Sequence, residues 1–239
     1  MGLKVHDSYL RNQRFPVILS DYERKWLISM LGHFGMKGRL VLLKTSFPLK
    51  LKPQREKAKQ LIKNHLQNNH PYTTPTTGRP TTGENTKKWE WNTNPHLAWS
   101  HSGSFIGLWI GRSQCTTVGL DIESKKRLNQ KVIHRISTLE ERNLTHPQID
   151  ILWPIKESSF KALSRRIRSM KTISQIKLLA FKPLSPSSNI PIPLWVFKTT
   201  FHLPKNPNPS LLITKGIVFE KSEYYFAICH CCISGRTRF

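Results

Sequence analysis

Asp121 and Glu123 stand two residues apart in the run VGLDIES. On a strand that spacing turns both carboxylates to one face. There they repel unless a cation or a base lies between them. Two readings follow: a charged strand end solvated beside Lys125, Lys126 and Arg127, or a pair of oxygen ligands for a hard cation. Glu157 and Lys161, in WPIKESSFKAL, are four apart and share one face of a helix. They form either a surface ion pair or two groups with separate targets, Glu157 for a metal and Lys161 for a phosphate. The third cluster is Ser100-His101-Ser102-Gly103. His and Ser at a strand end can donate to phosphate oxygens, and a glycine lets a ligand approach the backbone. A Ser–His nucleophilic pair is excluded here, because neighbouring strand residues point to opposite faces and no G-x-S-x-G elbow is present.

Each cluster needs an element to position it. Short apolar runs predict strands at Leu97–Ser100, Ser104–Ile110 and Thr117–Glu123. Four more are expected near Gln175–Phe181, Leu194–His202, Leu211–Phe219 and Tyr224–Cys232. Ala58, Leu61, Ile62 and Leu66 mark an amphipathic helix over Gln54–Gln67, with Arg55, Lys59 and Lys63 as a basic ridge. Lys131–Ile136 predicts a helical turn or more. Ser137 and Thr138 followed by Glu140 and Glu141 offer a capping box for a new helix. Gln148–Arg165 has helical spacing, with Trp153 and Phe160 expected to pack it. Pro154 should either kink that helix or open a second segment. Residues 70–95, 183–193 and 204–209 have the composition of connections. Strands at both ends of a helical middle give an α+β fold class.

The 239 residues allow one sizeable core or two small domains. Lys and Arg total 38 against 14 Asp and Glu, a net charge of +24 that calls for an anionic partner. Four cysteines exclude a dense disulfide framework. Three of them, in Cys229-His230-Cys231-Cys232, are contiguous and cannot wrap one tetrahedral zinc, so a buried strand is expected there. The longest apolar run, Phe105–Ile110, is far short of the ~20 residues of a membrane span. The N-terminus has no apolar signal region. A cytoplasmic protein with no membrane partner is the expectation.

In their order along the chain, the three clusters resemble the 4′-phosphopantetheinyl transferase superfamily, in its larger, monomeric, Sfp-type form. The family pairs a G-I/V-D-x-E strand with a W-x-x-K-E-S/A-x-x-K helix. Here these stand as Gly119-Leu120-Asp121-Ile122-Glu123 and Trp153-Pro154-Ile155-Lys156-Glu157-Ser158-Ser159-Phe160-Lys161. An upstream G-K-P turn and S-H-S-G strand end are matched by Gly78-Arg79-Pro80 and Ser100-His101-Ser102-Gly103. The run Arg135–Glu141 is similar to the segment between the two signatures, and YYFAIC to the family's last strand. The likeness covers roughly residues 50–165. Leu120, Arg79 and Pro154 depart from the pattern. So does Leu163-Ser164-Arg165-Arg166, which stands where a G-K-G turn is common.

The resemblance implies transfer of the phosphopantetheine arm of coenzyme A to a serine of an acidic acyl or peptidyl carrier protein, with release of adenosine 3′,5′-bisphosphate. It implies two pseudo-symmetric halves, each a small antiparallel sheet packed with a helix, over residues 1–113 and 114–239. Carried over residue by residue, Asp121, Glu123 and Glu157 would hold Mg²⁺, with Mn²⁺ as an alternative. Glu157 or Glu123 would take the serine proton. Lys161 would neutralise pyrophosphate charge. Arg79, Ser100, His101 and Lys156 would contact the phosphates of coenzyme A. Two rivals are a basic nucleic-acid-binding protein, argued from charge alone, and a decayed member that binds coenzyme A without transferring.

Overall fold

The structure, a computed structural model, describes residues 19–36, 38–44, 96–111, 117–144, 148–165, 170–184, 192–201 and 212–233, with residues 56, 60 and 167. Two small antiparallel sheets and few helices make it an α+β protein. Helix α1 (Asp21–His33) opens on a capping box in which Ser20 and Glu23 satisfy each other's backbone donors. Strand β1 (Gly38–Lys44) pairs with β3 (Phe105–Gly111), and β3 pairs with β2 (Leu97–Ser102), giving the order β1-β3-β2. Neither α1 nor β1 is anticipated by the sequence reading.

The second sheet has five strands in the order β4-β8-β7-β6-β5: β4 (Thr117–Ser124), β5 (Ile176–Pro183), β6 (Leu194–Phe201), β7 (Leu212–Lys221) and β8 (Tyr224–Ile233). All six predicted strands of residues 104–232 and the one before them fall within one or two residues of these bounds. Helix α2 (Gln130–Ile136) follows β4, and α3 (Gln148–Ser164) follows α2. Pro154 lies inside α3, which is one unbroken helix rather than two segments. The predicted capping box forms between Thr138 and Glu141, whose donors are satisfied at 2.7 and 3.2 Å, but it opens a single 3₁₀ turn instead of an α-helix.

The five-stranded sheet is buried on both faces at its centre. One face packs on α3 through Ile151, Ile155, Phe197, Val218, Ala227 and Cys229. The other packs on α1 and the three-stranded sheet through Leu27, Leu31, Trp109, Ile217, Phe219 and Phe226. Cys229 and Cys231 are free and buried, and burial pushes the Cys229 thiol up to about 12. They are core residues of a strand, as expected.

The predicted helix over Gln54–Gln67, its ridge of Arg55, Lys59 and Lys63, the Gly78–Pro80 turn with Arg79, and the junction at residues 113–116 lie outside the described residues, apart from helical Glu56 and Gln60. Among the described residues no helix is long and apolar enough to cross a membrane.

Candidate active site

The closeness of α3 to β4 begins with a glycine. A Cβ at Gly119 would lie 1.9 Å from the Ser158 carbonyl oxygen, so only glycine lets the helix backbone rest on the strand there. That contact lays Glu157 and Lys161 beside Asp121, two residues further along β4. On the other flank β2 lies against β4. The Ile122 N–H donates to Ser100 Oγ at 3.1 Å, and Ser100 Oγ donates to Asp121 Oδ1 at 3.0 Å. The β2–β3 hairpin turns at Gly103, whose φ of +57° suits a residue without Cβ; a Cβ there would also strike the Tyr224 hydroxyl.

The resulting cleft, about 390 Å³, lies between β2, β4 and α3. Ser100, His101, Asp121, Glu123, Glu157 and Lys161 all line it, so residues 61 positions apart in sequence meet in one place. Trp99, Trp153 and Arg165 complete its walls. Sequence reasoning treated Trp153 as core packing, whereas it is half-buried and borders the cleft as well as the core. Arg165 was not foreseen. It donates to the Leu97 carbonyl and, at 3.4 Å, to that of Val118, joining β2 to β4. Its position directly after the signature helix was the one available signal.

Lys161 is the electrostatic centre. Its Nζ lies 2.7 Å from Asp121 Oδ1, 3.3 Å from Ser100 Oγ and 3.6 Å from Glu157 Oε1. Burial opposes its charge, but Asp121 and Glu157 outweigh that and hold the ammonium above the ordinary lysine range. Burial, with the Asp121 carboxylate nearby, pushes Glu123 and Glu157 above the ordinary glutamate range. Glu123 Oε1 accepts from the Ser124 N–H at 2.9 Å and from Ser102 Oγ at 3.4 Å. Asp121 is 4% exposed, which rules out a solvated strand end, and its Oδ2 is buried with no hydrogen-bond partner. Lys125 and Lys126 pair with Glu220 and Glu223 instead.

Three hard carboxylate donors, one with an orphaned buried oxygen, fit a divalent cation in chemistry and charge. As the side chains stand, Lys161 bridges Asp121 and Glu157, and no three His, Cys, Asp or Glu side chains among the described residues are gathered as a ligand shell.

One expectation requires correction. Lys156 does not face the cleft. It is wholly buried, with Nζ 2.6 Å from Glu141 Oε2 and 2.6 Å from the Ile136 carbonyl, because a residue next to Glu157 on a helix is turned ~100° away from it. Ser100 borders the cleft, and its hydroxyl is hydrogen-bonded to Asp121, Lys161 and the Ile122 N–H, so it also orients the site. His101 lines the cleft, with its ring 5.4 Å from that of Trp99. No protein-family model matches the chain, and no curated protein sequence matches it.

Proposed function

We propose that this protein transfers the phosphopantetheine arm of coenzyme A to a serine of an acidic carrier protein. The observation that carries the reading is the convergence of Asp121, Glu123, Glu157 and Lys161 on one cleft, in the strand-and-helix order of the transferase signatures. The two sheets, each with its helix, would then be the two halves of a pseudo-symmetric chain.

The reaction forms a serine oxygen–phosphorus bond and breaks the pyrophosphate bridge, with adenosine 3′,5′-bisphosphate as the leaving group. Such chemistry needs positioning and charge neutralisation more than covalent help from the protein. Lys161 and His101 bind pyrophosphate oxygens. Lys161, which pairs with Asp121 and Glu157, would be available for this when those carboxylates hold a cation. Asp121, Glu123 and Glu157 would hold Mg²⁺ or Mn²⁺, which supplies positive charge against the pyrophosphate. Ser100 orients Asp121. Glu157 or Glu123 accepts the serine proton, and their raised affinity for protons suits a general base working near neutral pH. The Trp99 and Trp153 side chains form part of the cleft wall.

Intact-mass spectrometry of an apo acyl carrier protein incubated with the protein, coenzyme A and Mg²⁺ tests the reading. The carrier should gain one phosphopantetheine arm, and the gain should vanish with Glu157→Gln or without metal. Coenzyme A binding with no gain on any carrier type would mark a non-transferring binder. Neither binding nor gain would overturn the assignment.

A further inference from the structure

Strands β2 and β4 lie side by side as the end strands of two different sheets. Among the described residues no backbone ladder joins them. Side chains cross the gap instead. Ser100 Oγ accepts from the Ile122 N–H and donates to Asp121, and Ser102 Oγ donates to Glu123 at 3.4 Å. Arg165 Nη1 donates to the carbonyls of both Leu97 and Val118. Ser100 and Asp121 are 21 residues apart, as are Ser102 and Glu123, and Leu97 and Val118 repeat that separation. The two strands therefore run parallel in one register along the cleft. Ala98, Val118 and Leu120 share a core cluster, but apolar packing is non-directional and fixes no register. The hydrogen bonds fix it. Of the three groups that cross, Arg165 alone comes from neither strand. It directly follows α3 and continues the four-residue spacing of Glu157 and Lys161. The helix that brings two cleft groups to Asp121 thus also brings the donor that spans β2 and β4. Burial lowers the Arg165 pKa, yet a guanidinium keeps its charge and all its donors at neutral pH.

We propose that Arg165 is a positioning residue of the cleft: by holding the Leu97 and Val118 carbonyls together it fixes β2 beside β4, which sets Ser100 on Asp121 and keeps His101 at the same cleft as the carboxylates. In this role Arg165 acts through the strands and not on a reacting atom. Its effect on catalysis rests on the transferase reading. Its effect on the strands rests on the hydrogen bonds alone. A displacement of about 1 Å between reacting groups costs about 10²-fold in rate, so a slack β2–β4 pairing should be felt at the chemical step.

Steady-state kinetics of carrier modification and hydrogen exchange of the Ile122 amide, both on the full chain, test this together. Arg165→Met should lower kcat about 10²-fold while KM for coenzyme A changes by less than about threefold. The same variant should speed exchange of the Ile122 N–H, which donates to Ser100, about tenfold relative to the core amides of β7. Arg165→Lys keeps a charge and three donors and should recover part of both losses together. A raised KM with kcat unchanged would make Arg165 a ligand contact and overturn the positioning role. An Ile122 exchange rate unmoved by Arg165→Met would overturn it too. So would faster exchange throughout β7 with kcat unchanged, which marks a purely structural arginine, or recovery of one loss by Arg165→Lys without the other. If the unaltered protein modifies no carrier, the transferase reading falls by itself, and the Ile122 comparison still decides whether Arg165 holds the two strands.

Discussion

Helix α3 carries two lysines five residues apart, each against a buried carboxylate, and the two pairs do opposite things. Lys156 and Glu141 are sealed. Glu141 accepts from Lys156 Nζ, from the Thr138 N–H and, at 2.7 Å, from the Leu178 N–H, which ties the loop after α2 to both α3 and edge strand β5. Burial lowers the Lys156 pKa against the pull of Glu141, and both side chains are buried. Lys161 and Asp121 border a cleft. The Lys161 side chain is 27% exposed, it is shared with Glu157, and Asp121 keeps an unsatisfied oxygen. The strength of the contact is similar in both pairs, at 2.6 and 2.7 Å. What separates a structural ion pair from a site is the number of polar atoms left over.

Breaking the sealed pair should have the largest effect on folding. Lys156→Met leaves Glu141 buried and uncompensated, an expected loss of ~3–5 kcal/mol in chemical denaturation. Adding Glu141→Leu should recover part of that loss, because a buried pair replaced on both sides is often near neutral. No recovery would mean that Glu141 matters mainly through its backbone donors. At the open pair the loss should appear in catalysis instead. Lys161→Met should lower carrier modification about 10²–10³-fold, with a much smaller change in stability than Lys156→Met. A Lys161→Met protein as destabilised as Lys156→Met would erase the distinction.

The cleft carboxylates sharpen the comparison through pH. Glu123 and Glu157 have folded pKa values above the ordinary 4.5, so the unfolded chain loses these protons first as pH rises. Their ionisation therefore opposes folding. The opposition is absent well below pH 4.5, grows through the window above it, and is complete once both groups are ionised in the folded state. Glu123→Gln/Glu157→Gln should raise stability at pH 7 by about 0.5–2 kcal/mol, the usual scale of a stabilising replacement at a functional site, and should do little at pH 4. Thermal melts at the two pH values measure the difference, and an equal gain at both would contradict it. Smallest is the cap on the sealed side. Thr138→Ala removes the hydroxyl that accepts from the Glu141 N–H, at a cost of about 1 kcal/mol.

Much of this arrangement is legible in the chain. The seven predicted strands of residues 97–232 are short apolar runs between polar breaks, and local chemistry suffices to mark them. The cleft-lining residues were legible for a related reason: Asp121 with Glu123, and Glu157 with Lys161, sit at strand and helix spacings that set both members on one face. The first half was less so. Strand β1, GRLVLLK, and helix α1 have weak patterns of their own and acquire their place by packing on Trp109 and the five-stranded sheet.

The sequence by itself determined which residues could share a face and therefore which carboxylates and cations travel together. It could not assign the depth of any of them. Lys156 and Lys161 are both lysines of one signature helix, and helical geometry separates them by rotation alone. Whether the rotated side chain meets a cleft or a buried glutamate depends on Glu141, which a separate loop delivers. Ser100 likewise became a support for Asp121 only because β2 docks on β4. Gly119 is where the two levels join. A missing side chain is written in the sequence, but its consequence, a helix backbone resting on a strand, exists only once the tertiary structure brings Ser158 there, because close packing is set by what arrives from elsewhere in the chain.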